Sequence, residues 1–280
     1  MSALAPILAD LLARREPVVL VRVTQVLGST PRDADAAMLV GPDAIWGTIG
    51  GGQLELRGMA AARRLLESDG ASAELDLPLG PGLGQCCGGR VALRLQRADE
   101  AVLVDLAADE EAVRADCPIL YLFGAGHVGR ALVTALKPLP VRVVWIDGRR
   151  DGFPADVPAN AKTRRSRAPA DEISTAPAGA AVLVATHSHP LDYAITSAAL
   201  RRPDLVYVGL IGSATKRRRF ERGFVAEGGS PAALARLTCP IGSRTVRDKR
   251  PAVIAALVAA ELLTAFAARA VAAPSMRAVG

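Results

Sequence analysis

The chain has 280 residues, enough for two domains, and its 34 basic against 28 acidic residues leave a net charge of +6. Half of it is hydrophobic but only 4% is aromatic, so alanine, valine and leucine must carry the packing. Cysteines at 86, 87, 117 and 239 form no CxxC pair, which excludes a disulfide framework and points to a reducing compartment.

Met1 to Glu16 lacks the basic, apolar and cleavage regions of a signal peptide and reads as an ordinary helix over Leu4 to Arg15, ended by Pro17. A valine-rich strand follows from Pro17 to Leu27, then the turn-rich Gly28-Ser29-Thr30-Pro31-Arg32. Met38 to Val40 and Ile45 to Trp46 predict a hairpin about Gly41-Pro42-Asp43. Thr48-Ile49-Gly50-Gly51-Gly52 is a glycine loop that opens a helix from Gln53 to Glu67. Ala73 to Leu79 and Arg90 to Leu95 read as strands that bracket Gly84-Gln85-Cys86-Cys87-Gly88-Gly89. The first hundred or so residues therefore predict a small α+β module, 1–108, with loops at 28–32, 48–53 and 80–89. Glycine loops can be tight turns, but bare backbone N–H groups, as at Gly50, Gly51 and Gly52, also suit anionic ligands. The paired thiols of Cys86 and Cys87 suit a soft metal or redox chemistry, or else fill a turn as small apolar side chains.

The acidic stretch from Ala98 to Asp116 reads as the boundary to a second domain, 117–280. There, Ile119 to Phe123 is an apolar strand that runs into Gly124-Ala125-Gly126-His127-Val128-Gly129 and a helix to Leu136. A second strand, Val141 to Ile146, ends in Asp147, about 20 residues past the loop, where a dinucleotide fold places its ribose-binding acid. This series predicts a Rossmann-like parallel sheet, with Gly124, Gly126, Gly129 and Asp147 as candidate NAD(P) contacts. Strands at Ala181 to Ala185 and Leu205 to Leu210, helices from about Leu191 and Lys216, and a final alanine-rich helix from Ala252 complete it. Ligands of such sheets bind beyond the carboxyl ends of the strands, so the loops 124–129, 186–192 and 212–219 should share one rim. His187 and His189 with Asp192 could ligate a metal, or simply hydrogen-bond as loop neighbours.

Two further classes are disfavoured. The basic clusters Arg164-Arg165, Arg201-Arg202 and Lys216 to Arg219 lack the interleaved aromatics of a nucleic-acid groove, and suit a solvated surface or a small phosphorylated anion. The apolar run Ala252 to Ala268 is broken by Glu261 and reads as a buried helix rather than a membrane span, so a soluble, cytoplasmic protein is expected.

Taken in order, these motifs resemble the XdhC/CoxI family, accessory proteins of xanthine dehydrogenase and related molybdenum hydroxylases. The carriers are Gly28 to Arg32, Gly47 to Gly52, Leu83 to Arg90, Gly124 to Gly129, Thr186 to Asp192, Ile211 to Ser213, Cys239 to Gly242 and Lys249 to Ala255. The Gln-Cys-Cys-Gly-Gly form is similar to the branch that serves xanthine dehydrogenase in purine catabolism. Departures are Asp33 to Met38, which lacks the usual glycine, and Gln53, where many relatives carry a second cysteine whose role cannot transfer.

The resemblance implies a chaperone rather than an enzyme. It would bind the molybdenum cofactor (Mo-molybdopterin), hold it while a cysteine desulfurase adds the sulfido ligand, and pass it to apo-xanthine dehydrogenase. Gln85, Cys86 and Cys87 would contact the cofactor, with one of Cys86 and Cys87 on molybdenum and Cys86 preferred, because neighbouring side chains alternate. A homo-oligomer, a dimer, is allowed. The other readings are an NAD(P)-dependent oxidoreductase, against which no Tyr-x-x-x-Lys series appears, and a docking scaffold with a vestigial nucleotide pocket.

Overall fold

A computed structural model of the chain describes residues 4–28, 34–78, 89–242 and 245–272. The chain divides into two units, residues 2–115 and 116–280, each with its own sheet and core.

In the first unit, β1 (Val19–Leu27) lies at the centre of an antiparallel sheet of order β3-β2-β1-β5-β4. Its neighbours are β2 (Ala37–Val40), β3 (Ile45–Gly47), β4 (Ser72–Pro78) and β5 (Arg90–Arg97). Side chains alternate across a strand, so the two faces of β1 enter different cores. Val19, Val21 and Val23 pack under α2 (Gly52–Glu67) with Leu54, Ala62, Leu93 and Leu95. Leu20 faces the other way, with Leu8 and Leu11 of α1 (Ala5–Ala13) and Leu106 of α3 (Glu100–Asp116). Arg97 closes α2 by donating to the carbonyls of Leu65, Leu66 and Gly70 at 2.8–2.9 Å. Leu65 and Leu66 lie in the last turn of α2, where carbonyls lack partners within the helix, and the carbonyl of Leu65 also accepts the N–H of Ser68 at 3.2 Å.

The stretch at 98–116, expected as a boundary, is mostly the helix α3. Its polar sequence hides it, because Leu106 is its one fully buried residue. Its polar side is used as well. Glu110 accepts the N–H groups of Leu4 and Ala5 at 2.6 and 3.2 Å, which gives α1 the N-terminal acceptor that Leu4 lacks, and Asp109 pairs with Arg22.

The second unit is a six-stranded, wholly parallel sheet. Its strands are β6 (Ile119–Phe123), β7 (Arg142–Asp147), β8 (Ala161–Arg165), β9 (Ala181–Val184), β10 (Tyr207–Leu210) and β11 (Leu237–Thr238), in the order β11-β10-β9-β6-β7-β8. Read from β8, this is the 3-2-1-4-5-6 order of the dinucleotide-binding fold, and the order reverses between β6 and β9. The inner strands are buried on both faces, as continuous apolar runs such as Ala181–Val184 require. One face is covered by α4 (His127–Leu136) and α8 (Pro251–Ala272), through Leu132, Leu136, Val258 and Leu262. The other is covered by α5 (His189–Leu200) and α6 (Ala214–Ala226), through Ile195, Leu200, Phe220 and Phe224. A short α7 (Pro231–Ala235) precedes β11.

The edge strands β8 and β11 carry no apolar alternation and were not foreseen from sequence. β8 is held by its register on β7, Val143 with Ala161 through to Asp147 with Arg165. Helix α8 is long and apolar enough to cross a bilayer by composition. The sequence reads it as buried, but only its side carrying Ala255, Val258, Ala259 and Leu262 is buried on the sheet, the rest being half-buried or exposed. Its mid-helix Glu261 accepts from the hydroxyl of Tyr207 at 2.8 Å.

Candidate functional site

The glycine loop after β6 sits at the point where the strand order reverses. Gly124 has φ +112°, and a Cβ there would lie 2.2 Å from the carbonyl oxygen of Ala185, at the end of β9. A Cβ on Gly129 would lie 2.1 Å from the carbonyl oxygen of Gly124. Both glycines are therefore demanded by close backbone packing. Gly126 is different: its φ is −78°, and no described atom lies within 4 Å of where its Cβ would be. Bare backbone here fronts the N-terminus of α4, the feature that lets a phosphate approach in this fold.

Asp147 stands at the end of β7, as the motif predicts, but its carboxylate is turned into the protein. One oxygen accepts the backbone N–H and the Nε of Arg149, both at 2.9 Å. The other accepts Arg149 Nη2 and the N–H of Ala125, both at 2.7 Å. A carboxylate has about four lone-pair positions, and all four are filled. Burial would raise its pKa, but these bonds and the guanidinium charge outweigh it and hold Asp147 at about 2. The acid that would meet a ribose thus clamps the glycine loop, while Trp145 Nε1 and Arg130 Nε bind the loop carbonyls of Gly124 and Ala125.

The glycine loop of the first unit has a parallel arrangement. Gly50, Gly51 and Gly52 have φ of +125°, +79° and +60° and wrap the start of α2. The carboxylate of Glu55 accepts the hydroxyl of Thr48 at 2.5 Å and the N–H groups of Ile49 and Gly51 at 3.3 Å. A carboxylate of the chain itself occupies part of the anion cradle. Gln85, Cys86 and Cys87 lie outside the described residues. The strands on either side of them pair antiparallel as far as Pro78 with Arg90, and Arg90 donates to Asp76 at 2.7 Å.

A cavity of about 820 Å³ opens over the carboxyl ends of β9 and β10, where the next two loops meet. Serines at 188 and 213 cap the helices that leave it, accepting from the N–H groups of Leu191 and Lys216. Between them lies a buried ion pair. Asp192, 2% exposed, accepts from Lys216 Nζ, from Thr186 N–H at 3.1 Å and from Thr186 Oγ1 at 2.7 Å. Lys216 Nζ also donates to the carbonyl of Ile211 at 2.7 Å.

His187 and His189 line the exposed side of this cavity, but Asp192 faces Lys216 and not the imidazoles. Among the described residues, no three His, Cys, Asp or Glu side chains converge as metal ligands. Two of the three loops that the sequence places on one rim, 186–192 and 212–219, share the cavity, whereas no residue of 124–129 lines it. The specific partnership of Asp192 with Lys216 was not foreseen, because it joins residues on different helices; the only sequence signal was a basic helix placed after a strand end.

Residues 120–262 match the model of the XdhC Rossmann domain, and residues 11–76 match that of the XdhC and CoxI family. The Uncharacterized protein YqeB of Escherichia coli strain K12 is 27% identical over 263 residues, 88% of this chain and 43% of YqeB. The chain thus spans under half the length of that curated relative. A crystal structure described as a xanthine dehydrogenase from Bacillus halodurans superposes with a TM-score of 0.71 at 20% identity over 98% of both chains, and so shares the fold. With the Rossmann-domain match alone covering just over half of its length, this chain belongs to the XdhC family.

Proposed function

We propose that this protein is an accessory factor of a xanthine dehydrogenase-type molybdenum hydroxylase. It binds the molybdenum cofactor, holds it for sulfuration by a cysteine desulfurase and delivers it to the apo-dehydrogenase in the cytoplasm. The observation that carries this reading is that both XdhC family modules occur on one chain, in order. The Cys86-Cys87 segment supports it chemically, since molybdenum is thiophilic and thiols are soft donors. The cavity over β9 and β10 supports it by size and by its lysine and arginine, which suit a phosphorylated pterin.

The test is to purify the protein from molybdenum-replete cells, and to measure bound molybdopterin and molybdenum. Cys86→Ala, Cys87→Ala and the double variant should lower the molybdenum load, and transfer to apo-xanthine dehydrogenase should fall with it. A double variant that keeps a full load would remove the thiols from the site.

An NAD(P)-dependent oxidoreductase is the second reading, favoured by the open backbone at Gly126. The four bonds on Asp147 count against it, because ribose hydroxyls find no free acceptor there. Calorimetric titration with nicotinamide dinucleotides separates the two readings; millimolar binding would favour the oxidoreductase.

A further inference from the structure

We infer that the cavity over the carboxyl ends of β9 and β10 is a binding site for a phosphorylated planar heterocycle. Lys216 and Arg219 would hold the phosphate, and the apolar lining of Pro190, Tyr193 and Ile211 would hold the ring. This goes beyond the carrier reading, since it applies equally to a pterin phosphate and to a purine nucleotide.

Charge favours an anion. Asp192 is neutralised within the protein by Lys216 and by both donors of Thr186. Lys216 spends two of its three N–H donors, on Asp192 and Ile211, which leaves one for a ligand. Arg219 lines the cavity with no ion-pair partner among the described residues, so the lining carries an excess positive charge.

Shape and polarity ask for more than a bare ion. The cavity, at about 820 Å³, far exceeds a phosphate and falls in the usual range for small-molecule sites. Its accessible apolar lining comes from Pro190, Tyr193 and Ile211, which are half-buried or exposed, and the Tyr193 ring is backed by the buried Phe220 ring 5.2 Å away. Flat heteroaromatic rings pack on such a surface. The glycine loops are weaker competitors for the phosphate, because Glu55 and Asp147 already accept from their N–H groups.

The experiment titrates full-length protein from a molybdopterin-deficient host, by calorimetry, with neopterin monophosphate, GMP, guanosine and inorganic phosphate. At least one of the two phosphorylated heterocycles should bind more tightly than guanosine and phosphate do. Arg219→Ala should weaken that binding about tenfold, the value of one charge-assisted hydrogen bond, with Arg219→Glu weakening it further. Arg219 is exposed, so both variants should keep their circular dichroism and melting temperature. Neopterin monophosphate binding alone identifies a pterin site, and GMP binding alone a purine site; either supports the inference. No binding at millimolar concentration, phosphate binding as tightly as the heterocycles, or Arg219 variants of unchanged affinity would each overturn it. Molybdopterin co-purifying from a normal host with a protein that binds neither probe would sink this site and leave the carrier reading intact.

Discussion

Asp147 shows how one carboxylate changes role with its bonding. Its four bonds tie β7, Arg149 and the glycine loop together, so Asp147→Asn should cost about 2 kcal/mol in a urea unfolding experiment by breaking charge-assisted bonds. The pH dependence follows from a folded pKa of about 2, below the ordinary value of 3.8. The stabilisation is complete above the unfolded-state value and is lost as pH falls toward about 2, because the unfolded chain takes up the proton first. Wild type should therefore lose stability more steeply between about pH 4 and 2 than Asp147→Asn does. An acid limb of equal slope in both proteins would refute the assignment.

The three loop glycines separate packing from ligand access. Gly129→Ala drives a Cβ into the carbonyl of Gly124 and should destabilise severely, whereas Gly126→Ala meets nothing and should melt like wild type. If a phosphate approaches this loop, Gly126→Ala alone should weaken its binding without loss of stability. Thermal melts and ligand titrations on the two variants test both halves. The motif was legible in the sequence, since the glycine spacing and the strand–helix context are local. The sequence gives no sign that Asp147 would be consumed by Arg149, two residues away, because a side chain's direction depends on what packs around it.

Helix α8 is the element whose sequence is most ambiguous. By composition it could span a membrane; in the fold it lies on a parallel sheet, through Ala255, Val258, Ala259 and Leu262. Leu262→Ala should cost roughly 2–5 kcal/mol by opening a cavity in that interface. Tyr207→Phe should cost about 1 kcal/mol, since it removes the hydroxyl that Glu261 accepts. Burial, and then the nearby Glu261 charge, raises the Tyr207 phenol well above its ordinary pKa, so this bond holds across the whole physiological range. Urea midpoints for both variants check the prediction. Helix α3 is the opposite case, a polar element that was read as a boundary because only Leu106 is fully buried, Val102 and Leu103 pack at the core's edge, and its acidic side chains serve Arg22 and the start of α1.

At the scale of the molecule, the two units bury separate cores. Those of residues 2–115 lie on the two faces of an antiparallel sheet, and those of residues 116–280 on the two faces of a parallel one. Residues 116–280 expressed alone should therefore give a single cooperative unfolding transition, followed by circular dichroism; a featureless melt would show that this core is incomplete.

Periodicity and glycine spacing by themselves determined the α+β module, the parallel sheet and the order of the family's motifs. These depend on local propensity and on which positions are apolar, and both are written along the chain. Only the tertiary structure decided where the charges go. Glu55 and Asp147 turned into loops that looked open to anions, and Asp192 met Lys216 from another helix to leave a positive cavity beside Arg219. The reason is that an ion pair buried between elements is chosen by the packing that brings those elements together, and no local pattern encodes that approach.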